Sequence, residues 1–334
     1  MNLRPLGSTG LHVSAVAFGA GPVSGLLTGM AEETQRAVIA RAVEQGVNWF
    51  DTAATYSDGN SELGLGRALA TLRKEIRTDQ PLHVATKVRV RLTNETDLRP
   101  LVVESLRGSL QRLGMPRVTL LQIHNSITRN REDQPTSITP EDVLGPRGLL
   151  AGMEDLRAAG LVQHFGLTGI GDADALRTVM QSRQFATIQA PYHWLNSSAW
   201  QQMPAGAADP DYGGFLRDAH QLGMGLFAIR VYAAGALCGA EPSAHTLKTP
   251  FFPLPLYQRD QARAARLVEQ VGSLTELREL ALRYVLSQPQ IAAAIVGFGA
   301  VPHVEEAARV AALAPLTAAE LLRLEELRTV CLAS

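Results

Sequence analysis

Short apolar runs rich in β-branched residues recur along the chain, with polar, helix-forming stretches between them. They fall at Ala15–Gly19 (AVAFG), Asn48–Ala53 (NWFDTA), Leu82–Val88 (LHVATKV) and Thr119–His124 (TLLQIH). Four more follow at Phe165–Ile170 (FGLTGI), Thr187–Tyr192 (TIQAPY), Gly225–Val231 (GLFAIRV) and Ala293–Phe298 (AAIVGF). These eight runs are too apolar for one face to be wet, which predicts parallel strands covered on both sides. The intervening stretches keep a helical interval. Thr34–Gln45 pairs Val38 with Ala42 and Ile39 with Val43, and Ser273–Leu286 repeats Leu277, Leu280, Ala281 and Tyr284 behind a Ser273/Glu276 capping-box pattern. Gly46, Gly114, Gly160 and Gly223 each follow such a stretch, where a left-handed helix cap is wanted. Strands alternating with helices in this number predict a (β/α)8 TIM barrel. A doubly wound open sheet is the main competitor, but it needs a GxGxxG turn after an early strand, and the chain has none.

Three segments stand outside the repeat. Asn2–Ser14, with GSTG between two extended runs, predicts an N-terminal β-hairpin. Residues 125–148 and 233–272 read as long loops behind the fourth and seventh strands. Both follow strand C-terminal ends, the face where barrel enzymes carry their active sites, so both read as lids over that face. A capped helix, Thr317–Leu327, closes the sequence, and no linker or repeat divides residues 1–334, which read as a single domain.

Composition narrows the partners more than the fold. The 334 residues are 46% hydrophobic and carry a net charge of −1, with acidic and basic residues interspersed. The absence of a basic stripe argues against nucleic acid, and no apolar stretch approaches the ~20 residues of a membrane span. Cys238 and Cys331 lie far apart, which argues against a disulfide scaffold or a zinc site and fits a reducing compartment. MNLRPLGSTG lacks the apolar run of a signal sequence, so a cytoplasmic location is expected.

In a barrel the strand C-termini converge on one mouth. The second strand brings Asp51 there with Tyr56 just beyond, the third ends in Lys87 and the fourth in His124. Singly each has an ordinary reading: Asp51 as a turn cap, Tyr56 as a packed ring with a wet hydroxyl, Lys87 as a snorkelling side chain, His124 as a satisfied core histidine. Together they are chemically complementary. Hydride addition to a carbonyl leaves an alkoxide that needs a proton. A phenol can donate it, but a phenol's ordinary pKa near 10 is too high for efficient exchange near neutrality. A neighbouring ammonium favours the phenolate, a carboxylate anchors the ammonium, and a neutral imidazole can orient the carbonyl oxygen.

These residues lie in segments that resemble the aldo-keto reductase superfamily over nearly the whole chain: "LGSTGLHVSAVAFG", "FDTAATYSDGNSELGLGRAL", "VATKV", "LLQIHN", "FGLTGIG", "IQAPYHW" and "IVGFGAVPHVEEA". The resemblance implies a metal-free carbonyl reductase or alcohol dehydrogenase with NADP or NAD across the barrel mouth. Its catalytic tetrad falls on Asp51, Tyr56, Lys87 and His124. Cofactor contacts are implied for Gly19, Ala20, Asp51 and Gln189, with Thr168-Gly169 standing where the family usually has Ser-Asn. In "AIRVY", Ile229 replaces an aromatic that stacks on nicotinamide and Arg230 replaces a serine. Arg230 could pair with the pyrophosphate, stack, or form an ion pair with a loop carboxylate. After the eighth strand Gly297, Phe298, Gly299 and Ala300 offer no cation for a 2′-phosphate, His303 is the nearest basic residue, and Glu306 could bond an adenine amine or ribose hydroxyl. Weak NADP selectivity is therefore expected. Tyr56, His124, Tyr192, His193 and Trp194 are the substrate-side candidates, for a small carbonyl compound or a sugar. "AIRVYAAGAL" and "LGSTGLHVS" look closest to the sugar-oxidising branch, the aldose 1-dehydrogenase or galactose dehydrogenase type. A cofactor-binding redox-sensing regulatory subunit, as in channel-associated members, is the alternative. Ser61 and Glu62 read as structural, serving free N–H groups in the first turn of the next helix.

Overall fold

The computed structural model describes residues 1–75, 80–93, 95–203 and 209–332. The chain opens with an antiparallel hairpin, β1 (Leu3–Pro5) and β2 (His12–Ser14), joined by a 3-10 turn at Gly7–Thr9. Strand β3 (Val16–Gly19) leads through α1 (Leu26–Gly29) and α2 (Glu32–Glu44) to β4 (Trp49–Asp51) and α3 (Asn60–Glu75). Next come β5 (His83–Val88), α4 (Arg99–Leu113), β6 (Val118–Ile123), α5 (Pro140–Leu144) and α6 (Leu149–Ala158). The sequence continues as β7 (Val162–Thr168), α7 (Ala173–Gln181), β8 (Thr187–Pro191), α8 (Phe215–Gln221) and β9 (Gly225–Ile229). Helices α9 (Leu254–Val271) and α10 (Leu274–Leu286) precede β10 (Ile291–Gly297), and α11 (Val301–Ala311) and α12 (Ala318–Leu332) end it. Strands β3 to β10 pair in parallel and close as β10 meets β3, giving the expected (β/α)8 barrel. All eight predicted strands are present, and Gly46, Gly114, Gly160 and Gly223 all have positive φ. No described helix is long and apolar enough to cross a membrane.

The period of two along each strand separates two cores. Side chains pointing outward pack under the helices in the larger one. Inward, Ala17, Trp49, Ala85, Leu120, Phe227, Ala293 and Ile295 fill the lower barrel, with the Trp49 and Phe227 rings 4.9 Å apart. Leu6 and Val13 of the hairpin join that cluster and seal the end opposite the strand C-termini. Gly7 makes the seal possible. Its φ is +51°, and a Cβ there would lie 2.3 Å from the Gly225 nitrogen. Close approach also fixes α3 on α4, where a Cβ on Gly66 would meet Leu113 O at 2.4 Å. Gly66→Ala must push the two helices apart, so a loss of about 1–3 kcal/mol in chemical unfolding is expected.

Neither long segment is an open loop. Residues 233–272 contain a 3-10 stretch, Ala233–Cys238, and the 18-residue helix α9, leaving only 239–253 irregular. The sequence hid α9 because its buried face carries Asp260 and Arg263 among Tyr257, Ala264 and Leu267, which breaks the apolar period. Arg263 bonds Asp209 Oδ1 at 2.8 Å and Asp260 Oδ1 at 3.3 Å, and burial still pushes the Asp260 carboxyl up to about 7. Segment 125–148 holds α5, capped reciprocally by Thr139 and Asp142. Asn125 pins its start by donating to Val90 O at 2.8 Å and Thr136 O at 2.7 Å.

Ser61 and Glu62 do not cap α3. The Ser61 hydroxyl donates to Ala20 O at 2.7 Å, while the fully buried Glu62 carboxylate accepts from Thr86 Oγ1 at 2.5 Å and Arg112 Nε at 2.7 Å. Together they tie α3 to the barrel wall and to α4.

Candidate active site

Above the apolar layer, the same parity turns polar residues inward. Trp49 points into the barrel, and so, two residues on, does Asp51; likewise Ala85 and Lys87, and Leu120 and Gln122. Gly166, opposite Gln122 on β7, keeps this layer open. A Cβ there would lie 2.4 Å from Thr187 Oγ1 and 3.0 Å from Gln122 Cγ. Beyond β4 the chain reaches Tyr56 and then turns sharply through Ser57 and Asp58, at φ 50° and 53°, into α3. Before it, a turn closed by Tyr56 N donating to Ala53 O at 3.1 Å brings Tyr56 back toward the strand ends.

The four candidate residues meet. Lys87 is fully buried, and its Nζ donates to Asp51 Oδ1, to Thr52 O at 2.8 Å and to the Tyr56 hydroxyl at 3.2 Å. The ammonium also lies 4.7 Å from the centre of the Tyr56 ring. Gln122 donates from Nε2 to the second Asp51 oxygen at 3.0 Å, so both carboxylate oxygens are held. His124 stands edge-on to Tyr56, with ring centres 5.5 Å apart and planes at 82°. Its Nδ1 lies 3.5 Å from Thr55 Oγ1.

Burial opposes charge on Lys87, but Asp51 and Tyr56 outweigh it and raise the pKa above its ordinary value. Burial raises the Asp51 carboxyl, against the pull of Lys87 and Gln122. His124 is pushed well below the ordinary histidine value by burial and then by Arg89, Lys87 and His245, so its ring is neutral across the physiological range. The site thus offers a hydroxyl on a buried ammonium, with a neutral imidazole across from it. Gln122 and Arg89 escaped the sequence reading. Inward parity two residues before His124 marks Gln122, and Arg89 is a basic residue just past a strand end.

The cofactor candidates divide. Gln189 donates to Thr168 Oγ1 at 3.2 Å, and its own Oε1 is buried without a partner among the described residues. Gly169 leaves no room for a side chain, since a Cβ would lie 2.4 Å from the Phe215 ring. Ile229 is half-buried at the rim of the interior cluster. Ala20 N bonds Asp51 O at 2.8 Å, and a Cβ on the next residue, Gly21, would touch the Tyr56 ring at 3.8 Å. Gly19 packs closely on β10, where a Cβ would lie 3.0 Å from Ile295 Cγ2. Gly297 and Gly299 face Ser24, where a Cβ would lie 3.4 Å from Ser24 Cβ and, more tightly, 3.1 Å from Ser24 O. Phe298 turns its ring into the core, 5.6 Å from that of Phe18, so only its backbone can reach a ligand. His303 Nδ1 accepts from Gly299 N at 3.3 Å. Glu306 is engaged by Arg278 at 2.8 and 3.2 Å, a cation from the far side of β10 that the sequence reading missed. Arg230 makes no carboxylate pair among the described residues. Its guanidinium lies 4.9 Å from the Phe252 ring and donates to Phe251 O at 2.8 Å.

Two of the three aromatic substrate candidates belong to packing instead. Trp194 is fully buried and donates Nε1 to Leu324 O of α12 at 2.9 Å. Tyr192 stacks on Tyr284 at 5.8 Å, and burial pushes its hydroxyl up to about 12. Both follow the outward parity at the end of β8. His193 is buried with Nδ1 unpartnered among the described residues, its pKa taken down to about 3 by burial and then by Arg230. Two cavities, of about 600 and 430 Å3, open between residues 91–98 and 131–148, and none of the four meeting residues lines either.

Comparison with known proteins agrees with this architecture. A sequence model of the aldo/keto reductase family matches residues 15–329. L-galactose dehydrogenase of Arabidopsis thaliana is 28% identical over 306 residues, spanning 92% of this chain and 86% of that protein. Pyridoxal 4-dehydrogenase of Microbacterium luteolum is 25% identical over 70% of this chain and 71% of its own. The solved glycerol dehydrogenase of Gluconobacter oxydans superposes with a TM-score of 0.72 at 21% identity, covering 99% of this chain and 96% of that one.

Proposed function

The chain belongs to the aldo/keto reductase family of oxidoreductases, and from that premise we propose that it interconverts a carbonyl compound and its alcohol with a nicotinamide dinucleotide, using Tyr56 as the proton carrier. The observation that carries this reading is the buried Lys87 ammonium, which bonds the Asp51 carboxylate and the Tyr56 hydroxyl at once.

The residues present fit the cofactor. Gln189 Oε1 is a buried acceptor in want of a donor, which a carboxamide NH2 provides, and Thr168 Oγ1 adds a second polar contact. Ile229 offers an apolar face. When bound, the dinucleotide supplies or accepts the hydride. The chain itself handles the proton. Lys87 holds positive charge beside the hydroxyl from which the proton leaves, and Asp51, fixed by Gln122, holds Lys87 in place. Neutral His124 hydrogen-bonds the carbonyl oxygen and directs it toward Tyr56.

A small carbonyl compound or sugar is the proposed substrate, with the likeness to L-galactose dehydrogenase in support of the sugar. Aldoses with NAD and NADP, and aldehydes with NADH and NADPH, should include at least one pair with steady turnover. Tight cofactor binding without turnover on any of them would overturn the reading in favour of a redox sensor.

For the cofactor, we propose at most weak selection of NADP, because Arg278 is neutralised by Glu306. A preference for NADPH above ~100-fold in kcat/KM, or about 2.7 kcal/mol, would contradict this. Glu306→Gln releases Arg278 and should raise the NADP-to-NAD ratio of kcat/KM by about tenfold.

A further inference from the structure

The barrel mouth beside Tyr56 and His124 collects positive charge that, among the described residues, no carboxylate answers. Arg89 follows Lys87 by two residues at the end of β5. It is half-buried, its Nε donates to His124 O at 3.3 Å, and its guanidinium lies 4.9 Å from the Phe251 ring. Among the described residues Arg89, Arg91 and Arg230 form no ion pair, and the nearby acid, Asp51, is engaged by Lys87 and Gln122. Burial holds Arg89 below its ordinary pKa and Arg91 adds to this, against Tyr56, while His245 is lowered by burial and then by Arg89 and Arg230.

A guanidinium drawn partly out of water without a counterion keeps a desolvation cost that a ring contact offsets only in part. Its planar fork is shaped for carboxylate or phosphate. The cofactor's own phosphates do not account for it. Of the implied cofactor residues only Asp51 lies on a strand next to β5, and its carboxylate is taken by Lys87 and Gln122. The others sit on or just past β3 and β7 to β10, whereas Arg89 follows the end of β5, four strands from β9 around the closed barrel. Phe251 spans that gap, its ring on Arg89 and its carbonyl held by Arg230, so segment 239–253 runs over the mouth.

We propose that this site takes an anionic carbonyl compound, its carboxylate or phosphate bound by Arg89 in place of the Phe251 ring and its carbonyl oxygen between Tyr56 and His124. The inference rests on the carbonyl-reducing reading and narrows its substrate class.

The test compares kcat/KM for succinic semialdehyde with butanal, and for glyceraldehyde 3-phosphate with glyceraldehyde. One anionic member should exceed its neutral partner by about tenfold or more, and which one does identifies the carboxylate or the phosphate. Arg89→Gln should remove about tenfold of that ratio and Arg89→Lys should restore part of it. No anionic preference in the unaltered protein would overturn the inference. So would equal losses on charged and neutral substrates, which mark Arg89 as a mere prop for Phe251. Calorimetric binding of succinate and of inorganic phosphate provides an arm independent of turnover. At least one should bind about fivefold or more weakly to Arg89→Gln, and unchanged affinity for both overturns the inference. Absence of turnover on every carbonyl would instead count against the oxidoreductase reading, with the binding arm still deciding the role of Arg89.

Discussion

Replacing Tyr56 with Phe should lower kcat by about 10²–10⁴-fold, or about 2.7–5.4 kcal/mol of barrier, in a protein that still binds cofactor and unfolds at nearly the same temperature. The ring is retained, so the edge contact with His124 and the cation contact with Lys87 survive. What disappears is one hydroxyl, held by Lys87 Nζ at 3.2 Å. Lys87 keeps Asp51 and Thr52 O as partners, which is why stability should hardly change. Steady-state kinetics alongside a thermal melt separates the two effects, and an unchanged kcat would remove Tyr56 from the chemistry. The pH profile adds an independent check. Because the pKa of His124 is pushed well below the ordinary value, the neutral ring is the form present on both sides of pH 6.5. The profile of kcat/KM should therefore show no histidine step near there, and a loss of activity below about pH 6.5 would mean that His124 titrates normally.

Much of this site follows from strand parity and little of it from hydropathy. Asp51 and Lys87 sit at strand ends two residues beyond Trp49 and Ala85, so any barrel reading brings them to one mouth. Tyr56 lies between a turn closed on Ala53 O and two left-handed residues, Ser57 and Asp58, and no pattern of apolar positions announces either. Gln122 looks like an ordinary strand residue, and only the space above Gly166 makes it a partner of Asp51. Helix α9 was concealed by its buried Asp260 and Arg263, and Arg263 is tolerable inside because both Asp260 and Asp209, the latter more than fifty residues away, accept from it. Tyr192 and Trp194 mislead for the opposite reason. Aromatic rings next to a strand end suggest a pocket, but outward parity hands them to α10 and α12. Arg278 and Arg89 matter through what they do or do not pair with, and pairing across the fold cannot be read along the chain.

Lys87→Met should cost both activity and stability, and a second substitution should separate them. Removing the ammonium leaves Asp51 buried with only Gln122 to bond it, a situation that costs about 3–5 kcal/mol. For a chain of this length a fall in Tm on the order of 5–10 °C follows. The sign of its pH dependence is fixed by Asp51. Burial already raises that carboxyl with Lys87 opposing, and without Lys87 it rises further. A carboxyl whose folded pKa exceeds its unfolded value, about 3.9, binds more protons folded, so the variant loses stability as pH climbs from about 4 through the raised pKa. The gap to the unaltered protein should thus be small at pH 4 and widen toward neutrality. Adding Asp51→Asn removes the uncompensated charge and should recover most of the Tm while leaving kcat depressed, because nothing then places positive charge against the Tyr56 hydroxyl. Recovery of kcat along with Tm would mean that the ion pair only supports the barrel. A Tm that stays low in the double variant would mean that the loss came from repacking around Met rather than from the stranded carboxylate.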